Sequence, residues 1–75
     1  MNKIELLAYI KSEIDKAALL KKKDAVNMYL VVKHAEQLKD IDPIEFAKAI
    51  GRNKSYATEF RKGLNLASVI KDKGL

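Results

Sequence analysis

Between Arg52 and Lys62, the sequence gathers side chains whose chemistry suits nucleic acid. Four of the chain's 15 Lys and Arg residues lie in this stretch, together with amide, hydroxyl and carboxylate groups. Guanidinium and ammonium groups neutralise phosphates, whereas amides, hydroxyls and carboxylates can hydrogen-bond to base edges. The stretch therefore offers both kinds of contact that reading DNA requires.

The charge of the chain is concentrated in its C-terminal half. The 75 residues carry a net charge of +5, of which residues 1–42 hold +1 (8 Lys, 7 acids) and residues 43–75 hold +4 (7 Lys or Arg, 3 acids). This distribution predicts an anionic partner that meets the C-terminal half. A basic face that is merely solvated is the alternative that charge alone leaves open.

The elements that must position these groups are predicted to be helices, because no segment alternates with period two and Pro and Gly fall only at helix ends. A first helix of about twenty residues has Asn2 and Glu5 as its capping box. It ends at residues 21–23, three lysines that we expect to stabilise the helix dipole rather than to bind phosphate. Its core stripe consists of Leu7, Ile10, Ile14 and Ala17.

A second helix is predicted from its N-cap Asp24 to about Leu38. A separate apolar face on this helix predicts a homodimer, or another protein partner, that uses the hairpin of residues 1–41. That face consists of Val26, Tyr29 and Leu30. The core stripe is expected to contain Ala25, Met28, Val31, Val32, Ala35 and Leu38.

The C-terminal part, residues 42–75, is predicted to hold three short helices. Asp42, Pro43 and Glu45 form a strong start signal for a helix over 43–50, which Gly51 ends. A fourth helix is expected from about Lys54 to Gly63 or Leu64. A last one over 66–73 is expected between a cap at Asn65 and a stop at Gly74. The sequence thus predicts an all-α fold of about five helices in one domain, residues 1–75.

The two helices around Gly51 have the pattern of a helix-turn-helix, with small or apolar residues facing inward and a polar outer face on the second helix. This pattern resembles the helix-turn-helix of phage-repressor-like and other bacterial transcriptional regulators over residues 43–64. Arg52 and Ala57 depart from the family, which often has apolar and β-branched residues there. The matching residues are Phe46, Ala47, Ile50, Gly51, Ala57 and Phe60, and Leu64 continues the inner stripe.

The resemblance implies that the fourth helix enters the major groove of double-stranded DNA and reads sequence there. Its base-reading positions fall on Asn53, Lys54, Ser55, Thr58, Glu59 and Lys62. Phosphate contacts are expected from Arg52, Tyr56 and Arg61.

Catalysis is not expected, because the sequence lacks cysteine, a glycine-rich phosphate loop and a cluster of metal-ligating residues. We therefore expect no metal, no cofactor and no small-molecule substrate, and we interpret His34 as a surface or interface residue. No apolar run is long enough to span a membrane, which predicts a cytoplasmic protein. The alternative function is a helical protein-interaction module; attachment of the first helix to a membrane surface is disfavoured by its acids.

Overall fold

Residues 2–74, described by a computed structural model, form five α-helices and contain no strand. In chain order the helices are α1 (Lys3–Leu19), α2 (Lys23–Lys33), α3 (Ala35–Leu38), α4 (Pro43–Ala49) and α5 (Ser55–Lys73). The all-α class is confirmed. The number of helices agrees with the prediction because one expected helix is split in two and two expected helices are joined.

Helix α1 begins with the predicted capping box. The Asn2 Oδ1 accepts a hydrogen bond from the Glu5 amide at 2.8 Å, and Glu5 Oε1 accepts from the Asn2 amide at 3.5 Å. The core side of the helix is Leu6, Ile10, Ile14 and Ala17. The prediction of Leu7 at the start of this stripe is wrong, because α1 turns Leu6 to the core and leaves Leu7 half-buried at its edge.

The corner between α1 and α2 differs from the prediction. Lys21 has a φ of 58°, and the amides of Lys21 and Lys22 close α1 on the carbonyls of Ala18 and Ala17 at 3.1 and 2.9 Å. This is the hydrogen-bond pattern of a Schellman motif. Lys22 is then the N-cap of α2, without a side-chain hydrogen bond. Asp24 as the N-cap is therefore wrong, and its carboxylate accepts from the Tyr56 hydroxyl at 2.8 Å instead.

Helix α2 stops at Lys33, four to five residues earlier than expected. His34, with φ −107° and ψ 21°, separates it from the single turn of α3, whose Leu38 is fully buried. The buried residues of α2 are Asn27, Leu30 and Val31, so the predicted stripe is only partly right. Ala25 is exposed, and Met28, Val32 and Ala35 are half-buried.

The predicted partner face on α2 is not a continuous exposed surface. Leu30 is 3% exposed and belongs to the core, and Val26 packs against that core. Only Tyr29, at 60% exposure, projects into solvent. The prediction of Leu30 as an interface residue is wrong because α2 is covered on this side by the other helices of the same chain.

Helix α5 is one continuous helix of 19 residues, where two were expected. Gly63 does not end a helix. A Cβ built on it would lie 2.6 Å from Val31 Cγ1, so the glycine lets α2 and α5 approach closely. Asn65 consequently lies inside α5 and caps nothing, whereas Gly74, at φ 74°, ends the helix as predicted.

The core lies between α5 and the other helices. Helices α4 and α2 pack on α5, and α1 packs on α2 and makes fewer contacts with α4. At its centre the rings of Phe46 and Phe60 stack with their centroids 4.3 Å apart. The positions of α4 and α5 are thus fixed by one shared apolar cluster.

Candidate nucleic-acid interface

Helix α4 is fixed at both ends by local hydrogen bonds. The Asp42 carboxylate accepts from the amides of Ile44 and Glu45 at 3.1 and 3.2 Å, and Pro43 occupies the first helical turn. At the other end, Gly51 has a φ of 72° and its amide donates to the Lys48 carbonyl at 3.0 Å. A left-handed conformation of this kind favours glycine, which explains why the turn is placed here.

The turn leads into α5 through residues 52–54. The Arg52 amide donates to the Ala47 carbonyl at 3.0 Å, which completes a Schellman motif. Asn53 Oδ1 accepts from the Ser55 amide at 3.0 Å and also from the Ser55 hydroxyl. The side-chain Nδ2 of Asn53 has no hydrogen-bond partner within residues 2–74, so it remains available as a donor.

The inward faces of the two helices hold α5 against α4. Each of the inward-facing residues is at most 3% exposed: Phe46 and Ala47 of α4, Ile50 at its C-cap, and Ala57 and Phe60 of α5. The inner stripe predicted for both helices is therefore confirmed, with Leu64 half-buried at its end. Side chains on the opposite side of α5 are held in position by this packing without taking part in it.

The outer face of α5 presents the predicted base-reading groups together. Ser55, Thr58 and Lys62 lie at i, i+3 and i+7, on the side of the helix opposite Phe60, and all three are exposed. Asn53 and Lys54 are also exposed, just before the first turn. Glu59 is half-buried at the flank, and Lys62 lies 3.6 Å from its carboxylate.

Of the predicted phosphate contacts, Arg61 is exposed and has no ion-pair partner within residues 2–74. Arg52 is half-buried and its guanidinium lies 3.0 Å from Asp15 Oδ1. Lys11 Nζ lies 2.9 Å from Asp15 Oδ2. Lys11 first, and Arg52 second, hold the pKa of the Asp15 carboxyl below its ordinary value. Arg52 therefore ties the turn to α1 as well as carrying charge.

Tyr56 corrects the sequence-based prediction of a phosphate contact. The side chain is 6% exposed, and its hydroxyl, which is its only donor, is bonded to Asp24. Burial, and then the Asp24 hydrogen bond, raise the pKa of Tyr56. The residue therefore links α2 to the first turn of α5.

The links from Asp15 to Arg52 and from Asp24 to Tyr56 were missed by sequence reasoning. They join residues 37 and 32 positions apart in the chain. No local pattern indicates such pairs, because only the packing of distant helices brings these residues together.

His34 belongs to a different part of the molecule. Its Nδ1 lies 3.3 Å from Gln37 Oε1, and its ring meets Tyr9 edge-on with centroids 6.2 Å apart. Within residues 2–74, no group of three or more His, Cys, Asp or Glu side chains is arranged to hold a metal ion. None of the helices in the same range has the length and apolar character needed to cross a membrane.

The two helices joined through Gly51, with α4 packed across α5 and one polar face of α5 exposed, define a helix-turn-helix protein. The chain belongs to the family described as the HTH-like domain, whose family model matches residues 2–73. The match includes α1 and α2, so the N-terminal hairpin is part of the family domain. No curated protein and no solved structure gave a significant match.

Proposed function

We propose that this protein binds double-stranded DNA and inserts the N-terminal half of α5 into the major groove, as a small bacterial or phage transcriptional regulator. The observation that supports this most directly is the outer face of α5. Its polar side chains are exposed on a helix whose other side is fixed by Phe46, Ala47 and Phe60. A helix held in this way can enter a groove without further ordering, which lowers the cost of binding.

The proposed contacts divide by chemistry. Thr58 and Ser55 can hydrogen-bond to base edges, and the Asn53 amide and Lys54 extend the same surface. The Lys62 ammonium is exposed, and surface ion pairs such as Lys62–Glu59 are worth only about 0–1 kcal/mol. Lys62 can therefore exchange Glu59 for a guanine edge or a phosphate.

Charge at the flank of α5 supplies the part of the affinity that does not depend on sequence. Arg61 is proposed as the main phosphate contact of α5, and Arg52 as a second one that Asp15 partly neutralises. Tyr56 is left out of this set because its hydroxyl is already bonded to Asp24.

Fluorescence anisotropy with a labelled duplex tests the proposal. The wild type should bind at about 50 mM salt and weaken steeply towards 200 mM, as phosphate contacts require. Arg61→Gln with Lys62→Gln should abolish binding, whereas the matched control Lys71→Gln with Lys73→Gln, at the far end of α5, should not. A wild-type protein that ignores DNA at low salt would eliminate the proposal.

A homodimer is part of the proposal, but with a different interface from the one predicted from sequence. Leu66 and Val69, on adjacent turns of α5, are 43% and 51% exposed, and Tyr29 of α2 is 60% exposed. Two copies joined through such side chains would bind a site with two-fold symmetry.

The same apolar side chains favour the second candidate function, a protein-interaction module. Its partner would cover Leu66, Val69 and Tyr29 in place of a second copy. The DNA titration separates the two functions, because an interaction module needs no salt-dependent affinity for a duplex.

A further inference from the structure

We propose that the three lysines at the α1–α2 corner, Lys21, Lys22 and Lys23, form a second phosphate-binding surface. This surface lies beside the N-terminal half of α5 and binds the DNA backbone. This inference rests on the proposed DNA binding by α5. It extends the contact surface to a part of the chain that the helix-turn-helix does not include.

Contacts within the chain place this corner next to the start of α5. Asp24, which follows Lys23 directly, accepts the hydrogen bond of Tyr56 in the first turn of α5 at 2.8 Å. Asp15, six residues before Lys21, holds Arg52 in the turn at 3.0 Å. The corner and the turn are thus at the same end of the molecule.

The spacing suits a backbone contact. Packed helices lie about 8–10 Å apart between axes, and the major groove is about 12 Å wide. A helix beside one that occupies the groove therefore lies close to the phosphates at the border. Helix α2 packs directly on α5, and its N-terminal end carries the lysines.

At the C-terminal end of α1 the positive charge of the lysines is favourable, as expected from the sequence, but the same lysines also begin α2. Lys22 is the N-cap of α2 and Lys23 its first residue, where positive charge opposes the helix dipole. All three side chains are exposed, and none forms an ion pair within residues 2–74. Together with Ala18, Asp24 and Ala25 they line an open, concave depression with a volume of about 580 Å³.

The charge of this surface is complementary to DNA. Among residues 2–74, Asp24 is the one acid in this lining, and its carboxylate accepts the Tyr56 hydrogen bond. Three ammonium groups and one carboxylate leave this lining with a net charge of +2 (3 − 1). A polyanion that is already bound by α5 offers phosphates at the required place, which is why DNA is the proposed occupant.

A charge-matched comparison tests the inference. In Lys21→Gln/Lys22→Gln/Lys23→Gln, loss of two to three phosphate contacts should reduce the ratio of duplex affinities at 50 and 200 mM salt by roughly 10- to 40-fold. Affinity should fall equally for all duplex sequences, because backbone contacts carry no sequence information. The control Lys39→Gln/Lys71→Gln/Lys73→Gln removes the same charge beside and on the C-terminal half of α5 and should leave the salt dependence unchanged. Far-UV circular dichroism and thermal melting establish that both variants are folded.

The outcomes separate this inference from the function on which it rests. If the wild type binds DNA and loss of Arg61 and Lys62 abolishes binding, but the corner variant keeps the wild-type salt dependence, the corner surface is refuted alone. Equal effects of the two triple variants also refute it, since net charge would then be the cause. Absence of any DNA binding by the wild type refutes both proposals.

Anionic membrane is the competing polyanion, because Leu19 and Leu20 are 87% and 71% exposed beside the lysines. Vesicles of phosphatidylcholine and phosphatidylserine in equal amounts test it by co-sedimentation. Vesicle binding that is lost in the corner variant, together with unchanged DNA binding, would assign the lysines to a lipid surface and overturn the inference.

Discussion

At the scale of single residues, Lys21 shows a conflict between folding and charge. Its φ of 58° is the left-handed conformation that glycine adopts most easily at the end of a helix. A non-glycine residue in such a conformation typically costs about 1 kcal/mol or more. The proposed contact with DNA would explain why a lysine is found where glycine would fold better.

Lys21→Gly should therefore stabilise the fold while weakening DNA binding. We expect the free energy of unfolding to rise by about 0.5–1 kcal/mol, because glycine removes the strain at this φ. Urea denaturation measures the change. The control Lys16→Gly, inside α1, should lower stability by about 1 kcal/mol. A decrease in both variants would show that Lys21 is not strained.

Asp15 gives the fold a pH dependence whose sign can be worked out. Its pKa is held below the ordinary value by Lys11 and then by Arg52, so the folded state binds this proton less readily than the unfolded state. The stabilisation is present above an unfolded pKa of about 4 and is lost as pH falls through the folded value.

Removing this carboxylate should therefore lower stability above about pH 4 and have less effect below it. We expect Asp15→Asn to unfold at lower urea concentration than the wild type at about pH 7, with the difference shrinking at about pH 3. The control Asp40→Asn removes a carboxylate that forms no ion pair within residues 2–74. A difference for Asp15→Asn that is the same at both pH values would contradict this role.

At the scale of elements, local signals were predicted well and contacts between helices were not. The Asn2 and Asp42 caps and the Gly51 turn could be predicted because each depends on a few neighbouring residues. Gly63 was expected to end a helix, because glycine is common at helix ends. Leu30 was expected in an interface, because it lies outside the predicted core stripe of the second helix. Only the packing of α2 against the other helices decides both cases.

The contact of Gly63 with Val31 gives the clearest test of helix packing. Gly63→Ala should lower the free energy of unfolding by about 1–2 kcal/mol, because overpacking exceeds the gain in helix propensity. In Gly63→Ala/Val31→Ala the two effects should be less than additive, since the smaller side chain makes room for the methyl group. Asn65→Ala, on the exposed side of α5, should be neutral or slightly stabilising. A stabilising Gly63→Ala would show that the helices are not in close contact.

At the scale of the whole molecule, the exposed face of α5 was predicted better than the contacts that hold α5 in place. The outer face of α5 follows from helical periodicity, so Ser55, Thr58 and Lys62 could be placed together from sequence. The contacts of Asp15 with Arg52 and of Asp24 with Tyr56 could not be predicted, because they depend on how α1 and α2 pack against the helix-turn-helix.

The size of the chain also suits the proposed dimer. Its extents are 33 × 24 × 24 Å, and half-sites one helical turn apart are separated by about 34 Å. Two copies side by side can therefore present their α5 helices to successive major grooves.

The dimer should depend on the exposed apolar residues of α5. We expect Leu66→Ser/Val69→Ser to shift the protein from dimer to monomer in sedimentation equilibrium without a large loss of helix content. Leu19→Ser/Leu20→Ser, which removes two more exposed apolar side chains at the α1–α2 corner, is the control. A wild-type protein that is monomeric at all concentrations would contradict the dimer and leave DNA binding by single copies.

The central claim is that the outer face of α5 contacts DNA, and amide NMR spectra of isotope-labelled protein titrated with a duplex test it most directly. We predict that the largest changes in amide chemical shift fall on residues 53–62, with smaller changes at 21–23 and little change at 66–73. Changes confined to α2 and the C-terminal half of α5, or no changes at low salt, would contradict the claim.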